Sequence, residues 1–446
     1  MPGSAPPLPV SDLAIGIGFY GSSSPGAGGR LKASPDAFRV REVSSYPRPD
    51  PDGPFTILRL ESRDWEQHEL AAALERRLAL APHAVAWSGT KDRRAVSERL
   101  FAYRGAPPAA ELGLPRVTVL DAYAARDGLV LGQHYANAFE IRVDDLEAPA
   151  AAVAAYRRIE RELRDAGGFP NFFGAQRFGE VRPITHDVGR WLVRGDPVRA
   201  VDAYLVSRPP TGTEGVGDAA RAAFGAHRDP ARALREFPRE YRFELAILER
   251  LARGDPPSRA LRALPFELRR LFVHAYQAFL FNRYLSDRHA AGLPLGRPIV
   301  GDAILRVGRD GTLRGKDAVP VDEGNLAECE EIVSRARAAV AGPLVGTAAY
   351  PRSGAPAELV GRILRDEGIG PEAFAVPVAP ELASEGTWRA LRVAVPPTEL
   401  RVDAAGVWFR FSLPKGAYAT VYLREFLKSG RTGAAGAAAG AEPTNT

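Results

Sequence analysis

The sequence predicts an α+β fold. Three observations carry that prediction. Period-two strand patterns stand near both ends of the chain, helical periodicity dominates residues 186–285, and no internal repeat is present. Strands cannot leave their backbone groups unpaired, so the two strand-rich ends are expected to share one sheet around a helical insert.

The elements follow in order. Residues 1–12 are proline-rich and residues 429–446 form a Gly/Ala/Thr tract, and both are expected to be disordered. A strand is predicted over Ala37–Val43, with Phe38 and Val40 on one face and Arg39 and Arg41 on the other. After a turn cluster from Pro47 to Pro54, Phe55–Leu60 reads as a second strand. Leu70, Leu74 and Leu78 fall at helical spacing within 66–80. Further strands are predicted at 116–120, 128–132 and 138–143, then a helix over 148–165 that ends at Gly167-Gly168. Phe272, Ala275, Tyr276, Phe279 and Leu280 lie on one helical face, a core stripe rather than a row for stacking bases. Short strands, glycine turns and one helix (326–341) fill 299–350, and strands return at 389–395 and 406–413.

Composition narrows the function classes. Of 446 residues, 45% are hydrophobic and 25% charged, an ordinary globular balance. No apolar run approaches the ~20 residues of a membrane helix, and Met1-Pro2-Gly3-Ser4 does not begin a secretory signal, so a cytoplasmic location is expected. Cys329 is the single cysteine, which excludes an internal disulfide and a thiolate metal cluster. Its acidic surroundings would raise the thiol pKa. The seven histidines show no helical zinc spacing, so no metal is expected. The net charge of +5 favours an anionic partner, and arginine suits phosphate contact.

Each motif has a plain alternative. Gly16-Ile17-Gly18-Phe19-Tyr20-Gly21 matches a dinucleotide fingerprint, but the Ser/Pro/Gly run after it cannot start the helix that would hold a pyrophosphate. In Ser88-Gly89-Thr90-Lys91-Asp92-Arg93-Arg94-Ala95-Val96-Ser97, one carboxylate sits among cations that keep it ionised, as a nucleophile requires. A solvated salt-bridge turn would have the same composition. Pro170-Asn171-Phe172-Phe173-Gly174-Ala175-Gln176-Arg177-Phe178-Gly179 is either a buried aromatic corner or, with Gln176 and Arg177 exposed, an RNA contact. His134 reads as a surface or strand-end histidine.

These blocks, with Gly29-Arg30-Leu31-Lys32 and Ser34–Glu42, Asn137-Ala138-Phe139, Ala275–Asn282 and Leu413–Thr420, resemble in order those of the TruD family of transfer-RNA pseudouridine synthases. The resemblance runs from Gly29 to about Lys428, loosely over 200–260. The chain departs from the family's usual pattern at Ser97, Ala136, Phe172 and Ala417.

The resemblance implies a pseudouridine synthase catalytic domain with a mixed, largely antiparallel sheet, built from residues 13–170 and 389–428. A family-specific α+β domain would be inserted at 171–388, with RNA in the cleft between. The implied activity is isomerisation of a uridine, at position 13 of tRNA, to pseudouridine. Asp92 would be the nucleophile, and Phe38, Asn137 and Tyr418 would line a pocket for the flipped base. Lys32, Lys91, Arg93 and Arg177 are candidates for phosphate or electrostatic contact, with Phe139 supporting the site from beneath. The reaction rearranges bonds without gain or loss of atoms, so no cofactor is expected. RNA is the expected partner, and a monomer with no membrane and no obligate protein partner is the expected state. The rival readings are a non-catalytic RNA-binding protein of the same fold and a nucleotide-cofactor enzyme resting on Gly16–Gly21.

Overall fold

The structure, a computed structural model, describes residues 6–44, 47–89, 91, 93–108, 111–179, 182–208, 216–308 and 312–429. Its strands, in chain order, are β1 (Phe38–Val43), β2 (Phe55–Arg63), β3 (Ala86–Trp87), β4 (Val96–Arg104), β5 (Val117–Ala125), β6 (Ala136–Asp144) and β7 (Phe169–Pro170). After the helical region come β8 (Ala303–Val307), β9 (Leu313–Pro320), β10 (Ala338–Leu344), β11 (Thr387–Ala390), β12 (Arg392–Val393), β13 (Glu399–Val402) and β14 (Gly406–Pro414).

Both ends of the chain build one eight-stranded sheet, ordered β13-β14-β6-β1-β4-β2-β5 with β3 beside β4. Its pairings are antiparallel except that β1 runs parallel to β4. The period-two pattern explains the packing. Phe38 and Val40 of β1, Phe139 and Ile141 of β6, and Phe409 and Phe411 of β14 are paired across the ladder and buried on one face. Helices Pro149–Asp165 and Ala419–Leu427 cover that face, with Tyr156 5.0 Å from Phe409 and Tyr422 5.0 Å from Phe411 between ring centres. Leu58, Leu60, Phe101 and Tyr103 bury against Leu70 and Leu74 of helix Gln67–Arg77.

The middle of the chain holds the helices and a second, antiparallel sheet, β11-β10-β8-β9. Its axis is the 25-residue helix Phe266–Ala290, whose predicted apolar stripe is buried. The two-residue strands β7 and β12 pair where the chain leaves the large sheet and where it returns, Phe169 opposite Val393.

Several expectations are corrected. No strand forms over 128–132: Leu129 is buried but Val130 and Leu131 point to solvent between Gly128 and Gly132, so the apolar run is a turn. The helix expected over 326–341 ends at Ser334. Ala336 takes a positive φ of 55°, and the chain then extends into β10. The strand expected over 389–395 is divided between β11, in the second sheet, and β12. Helix Gly354–Asp366 and strand β13 were not anticipated. The stretch 1–12 is not uniformly without structure, because Val10–Ala14 is helical and Asp12 pairs with Arg424 at 2.5 Å. Residues 1–5 and 430–446 lie outside the described residues.

Gly16–Gly21 packs on the long helix. Gly18 N–H donates to Ser286 Oγ at 2.8 Å, and a Cβ there would lie 2.8 Å from Ser286 Cβ. The glycines serve close approach, and no helix starts after them. Among the described residues, no helix is long and apolar enough to cross a membrane.

Candidate active site

The site lies at one end of the large sheet. There Glu42 near the end of β1, Asn137 near the start of β6 and Leu413 near the end of β14 form one row across three strands. The loop after β3 folds onto this row. Lys91 Nζ donates to Glu42 Oε1 at 2.7 Å, both side chains being almost wholly buried, and the Ser88 hydroxyl donates to the other carboxylate oxygen. A Cβ at Gly89 would come within 2.7 Å of Lys91 Nζ and 2.8 Å of Glu42 Oε1, so a side chain there would displace the ion pair.

Further contacts fix the loop from the opposite side. Gly132 N–H donates to Ser88 O at 2.7 Å, Lys415 Nζ donates to Gly132 O at 2.7 Å, and His134 Nδ1 lies 3.1 Å from Ser88 O. Burial, and then the Lys91 charge, push the His134 pKa down, so the ring is neutral near pH 7. The reading of His134 as a surface residue is therefore corrected. Asp92 and Thr90 lie outside the described residues, and the anchored residue is Asp92's chain neighbour, Lys91.

Lys32, at a positive φ of 55°, is buried with its ammonium 5.1 Å from the Phe38 ring centre. Phe139 touches Phe38 from the next strand, with ring centres 6.2 Å apart, and rests on Phe411 at 5.5 Å. Phe38 is itself only 3% exposed. Asn137 is half-buried, and its Oδ1 is enclosed without a hydrogen-bond partner. An amide oxygen left in that state costs free energy until a donor reaches it.

Tyr418, just before helix Ala419–Leu427, stands in a second group. Its ring centre is 5.9 Å from that of Phe173, and the Arg389 guanidinium lies 4.0 Å from Phe173 and 6.0 Å from Tyr418. Arg177, half-buried, approaches Phe173 at 5.9 Å. The corner 170–179 thus joins both of its alternatives: Phe172 and Phe178 are fully buried, while Arg177 and Gln176 keep a partly open face. Burial lowers the pKa of both arginines, that of Arg389 to about 10. Arg93 is exposed and joins neither group.

The TruD profile, tRNA pseudouridine synthase D, matches residues 14–426. The chain belongs to the TruD family. A protein of Halobacterium salinarum that carries the name tRNA pseudouridine synthase D is 36% identical over 94% of this chain and 97% of its own length. One from Thermococcus gammatolerans is 36% identical over 91% of this chain and 96% of its own. A crystal structure named for TruD from Methanosarcina mazei superposes with a TM-score of 0.79 at 30% identity, covering 95% of this chain and 98% of that one. The expected mixed α+β fold is the TruD fold, and the chain is a tRNA pseudouridine synthase, an isomerase acting on RNA.

Within the TruD frame, Lys32, Phe38 and Phe139 form one contiguous group, and Lys91 meets Asn137's row through Glu42. Tyr418 and Arg177 form the second group with Phe173 and Arg389. The partners that sequence reasoning did not single out are Glu42 and Ser88 with His134 around Lys91, and Asn171 and Arg389 beside Tyr418. Glu42 and Ser88 sat inside quoted motif blocks, and nothing around Trp388-Arg389-Ala390 marks the arginine.

Proposed function

We propose that Asp92 is the nucleophile and that uridine 13 of tRNA is the target. The reaction breaks the bond from ribose C1′ to uracil N1, turns the base, and joins C1′ to C5. The C5 proton leaves and N1 gains one, so atoms balance without a redox partner. The observation that carries the reading is the buried Glu42–Lys91–Ser88 anchor directly before Asp92, beside the unsatisfied amide oxygen of Asn137. A solvated turn has no need of a desolvated ion pair, whereas a nucleophile has to be held in one place.

Asn137 then supplies the polar contact to the uracil edge, since its buried Oδ1 accepts from an imide N–H. Tyr418 supplies a face for the flipped base, worth about 1–3 kcal/mol by stacking, against an unstacking cost of a few kcal/mol. Phe38 is more enclosed and bounds the pocket with Lys32 and Phe139. Lys91 acts on the loop through Glu42, and Arg177 and Arg93 meet RNA phosphate. We read residues 13–170 and 389–428 as the catalytic unit and 171–388 as the insert, with β11 belonging to the insert's sheet. The protein acts as a cytoplasmic monomer in this reading.

The test is chemical mapping of pseudouridine, at nucleotide resolution, in an unmodified tRNA transcript incubated with the purified protein. Pseudouridine at position 13 is the expected product. A different single position would correct the target, and no product with RNA still bound would favour the non-catalytic reading.

A further inference from the structure

We infer that Arg177 and Arg389 together bind one phosphate of the RNA backbone beside Tyr418. The inference rests on the proposed function and adds a contact from the insert's sheet, since Arg389 lies on β11.

The two cations face the same Phe173 ring, Arg389 at 4.0 Å and Arg177 at 5.9 Å. Among the described residues, neither forms an ion pair with a carboxylate. Arg389 is held on one edge only. Its Nε donates to Asn171 O at 3.0 Å and its Nη2 to Asn171 Oδ1 at 2.6 Å. The other terminal nitrogen makes no hydrogen bond and points toward Gly416, 3.7 Å from where a Cβ there would stand. The Arg177 side chain makes none among the described residues, and its Nε is enclosed without a partner.

Two desolvated like charges with no carboxylate partner among the described residues oppose folding. Asn171 fixes the orientation of Arg389 but neutralises nothing. His274, near Arg177, adds no charge, because burial and then Arg177 drive its pKa down to about 4. What completes the arrangement is an anion that takes several N–H donors in a plane, and a phosphodiester does so. Lys would give a point charge without the fork. Both arginines are half-buried rather than sealed in the core.

The experiment measures binding of an unmodified tRNA transcript over a salt series, for the full chain and its Arg177→Gln, Arg389→Gln and Arg389→Lys variants. Each glutamine variant is expected to bind ~10-fold more weakly at low salt, the loss of a charge-assisted hydrogen bond. The plot of log K against log salt should become less steep by about 0.7–0.9, one phosphate contact. A variant that combines Arg177→Gln with Arg389→Gln should lose about one contact rather than two, because the arginines share a phosphate. Arg389→Lys should restore the slope while recovering only part of the affinity. Weaker binding at unchanged slope, or unchanged binding, would overturn the inference. Arg389→Gln also removes the Asn171 contacts, so if it does not fold, Arg177→Gln decides alone, since Arg177 has no hydrogen bond to lose. Pseudouridine formation by the native chain is scored in parallel. Product with unchanged slopes rejects the phosphate site only, and shifted slopes without product reject the catalytic reading only.

Discussion

Arginines packed around the long helix Phe266–Ala290 and those beside Tyr418 obey opposite rules. Arg288, fully buried, donates to both carboxylate oxygens of Asp302, to the Tyr284 hydroxyl at 2.9 Å and to Pro294 O at 2.7 Å. Arg190 and Arg283 share Glu367 at 2.9 and 3.2 Å, and the Tyr276 hydroxyl donates to the same carboxylate at 2.9 Å. Every one of these guanidinium groups has a carboxylate. Among the described residues Arg177 and Arg389 have none, and Asn137 Oδ1 has no donor. The difference teaches where to look for function: a satisfied buried charge fixes structure, and an unsatisfied one near a cleft is kept for something that arrives later.

The largest expected effect breaks the structural side of the comparison. Asp302→Ala leaves Arg288 buried and uncompensated, and should cost ~3–5 kcal/mol of stability, read as a lowered denaturation midpoint. Turnover by the fraction still folded should be unchanged. Glu42→Gln probes the case between the two rules, a satisfied pair at the site. It should cost about 1–3 kcal/mol and lower kcat more than it raises KM, because Lys91 anchors the loop at Asp92. An equal loss in both constants would mean that the pair only supports the fold.

Acid gives a third contrast. His134, His186 and His274 have folded pKa values below their ordinary 6.5, chiefly through burial, with His274 at about 4. Between the folded and the unfolded values the unfolded chain binds more protons. Stability is therefore expected to fall as pH drops from about 6.5 toward 4, and denaturant midpoints at several pH values would show it. A flat profile over that window would contradict the burial of these rings. The smallest effect is expected at Arg177: Arg177→Gln should raise stability slightly, by ~0.5 kcal/mol or less, unlike Asp302→Ala, because it removes one of two like charges and strands no partner.

Much of the large sheet was legible because its strands alternate cleanly. Phe38 and Val40, and Phe409 and Phe411, announce which face is buried before any neighbour is known. Local pattern failed where tertiary contact decides. Val130 and Leu131 are as apolar as a strand but pair with no strand among the described residues, and Ala338–Ala341 reads as the end of a helix until β8 and β11 flank it. The candidate site divides in the same way. Lys91, Asn137 and Tyr418 could be found because they sit in motif blocks. Arg389 and His134 acquire their roles from partners distant in sequence, Asn171 for one and Ser88 for the other. No spacing along the chain encodes those meetings.

The most direct test of the account follows tritium released to water from a tRNA transcript labelled at uracil C5, comparing the native chain with Asp92→Asn at matched RNA occupancy. The account predicts release by the native protein and none by the variant, with equal tRNA binding and equal melting temperature. Release by Asp92→Asn at the native rate would contradict the assignment of the nucleophile.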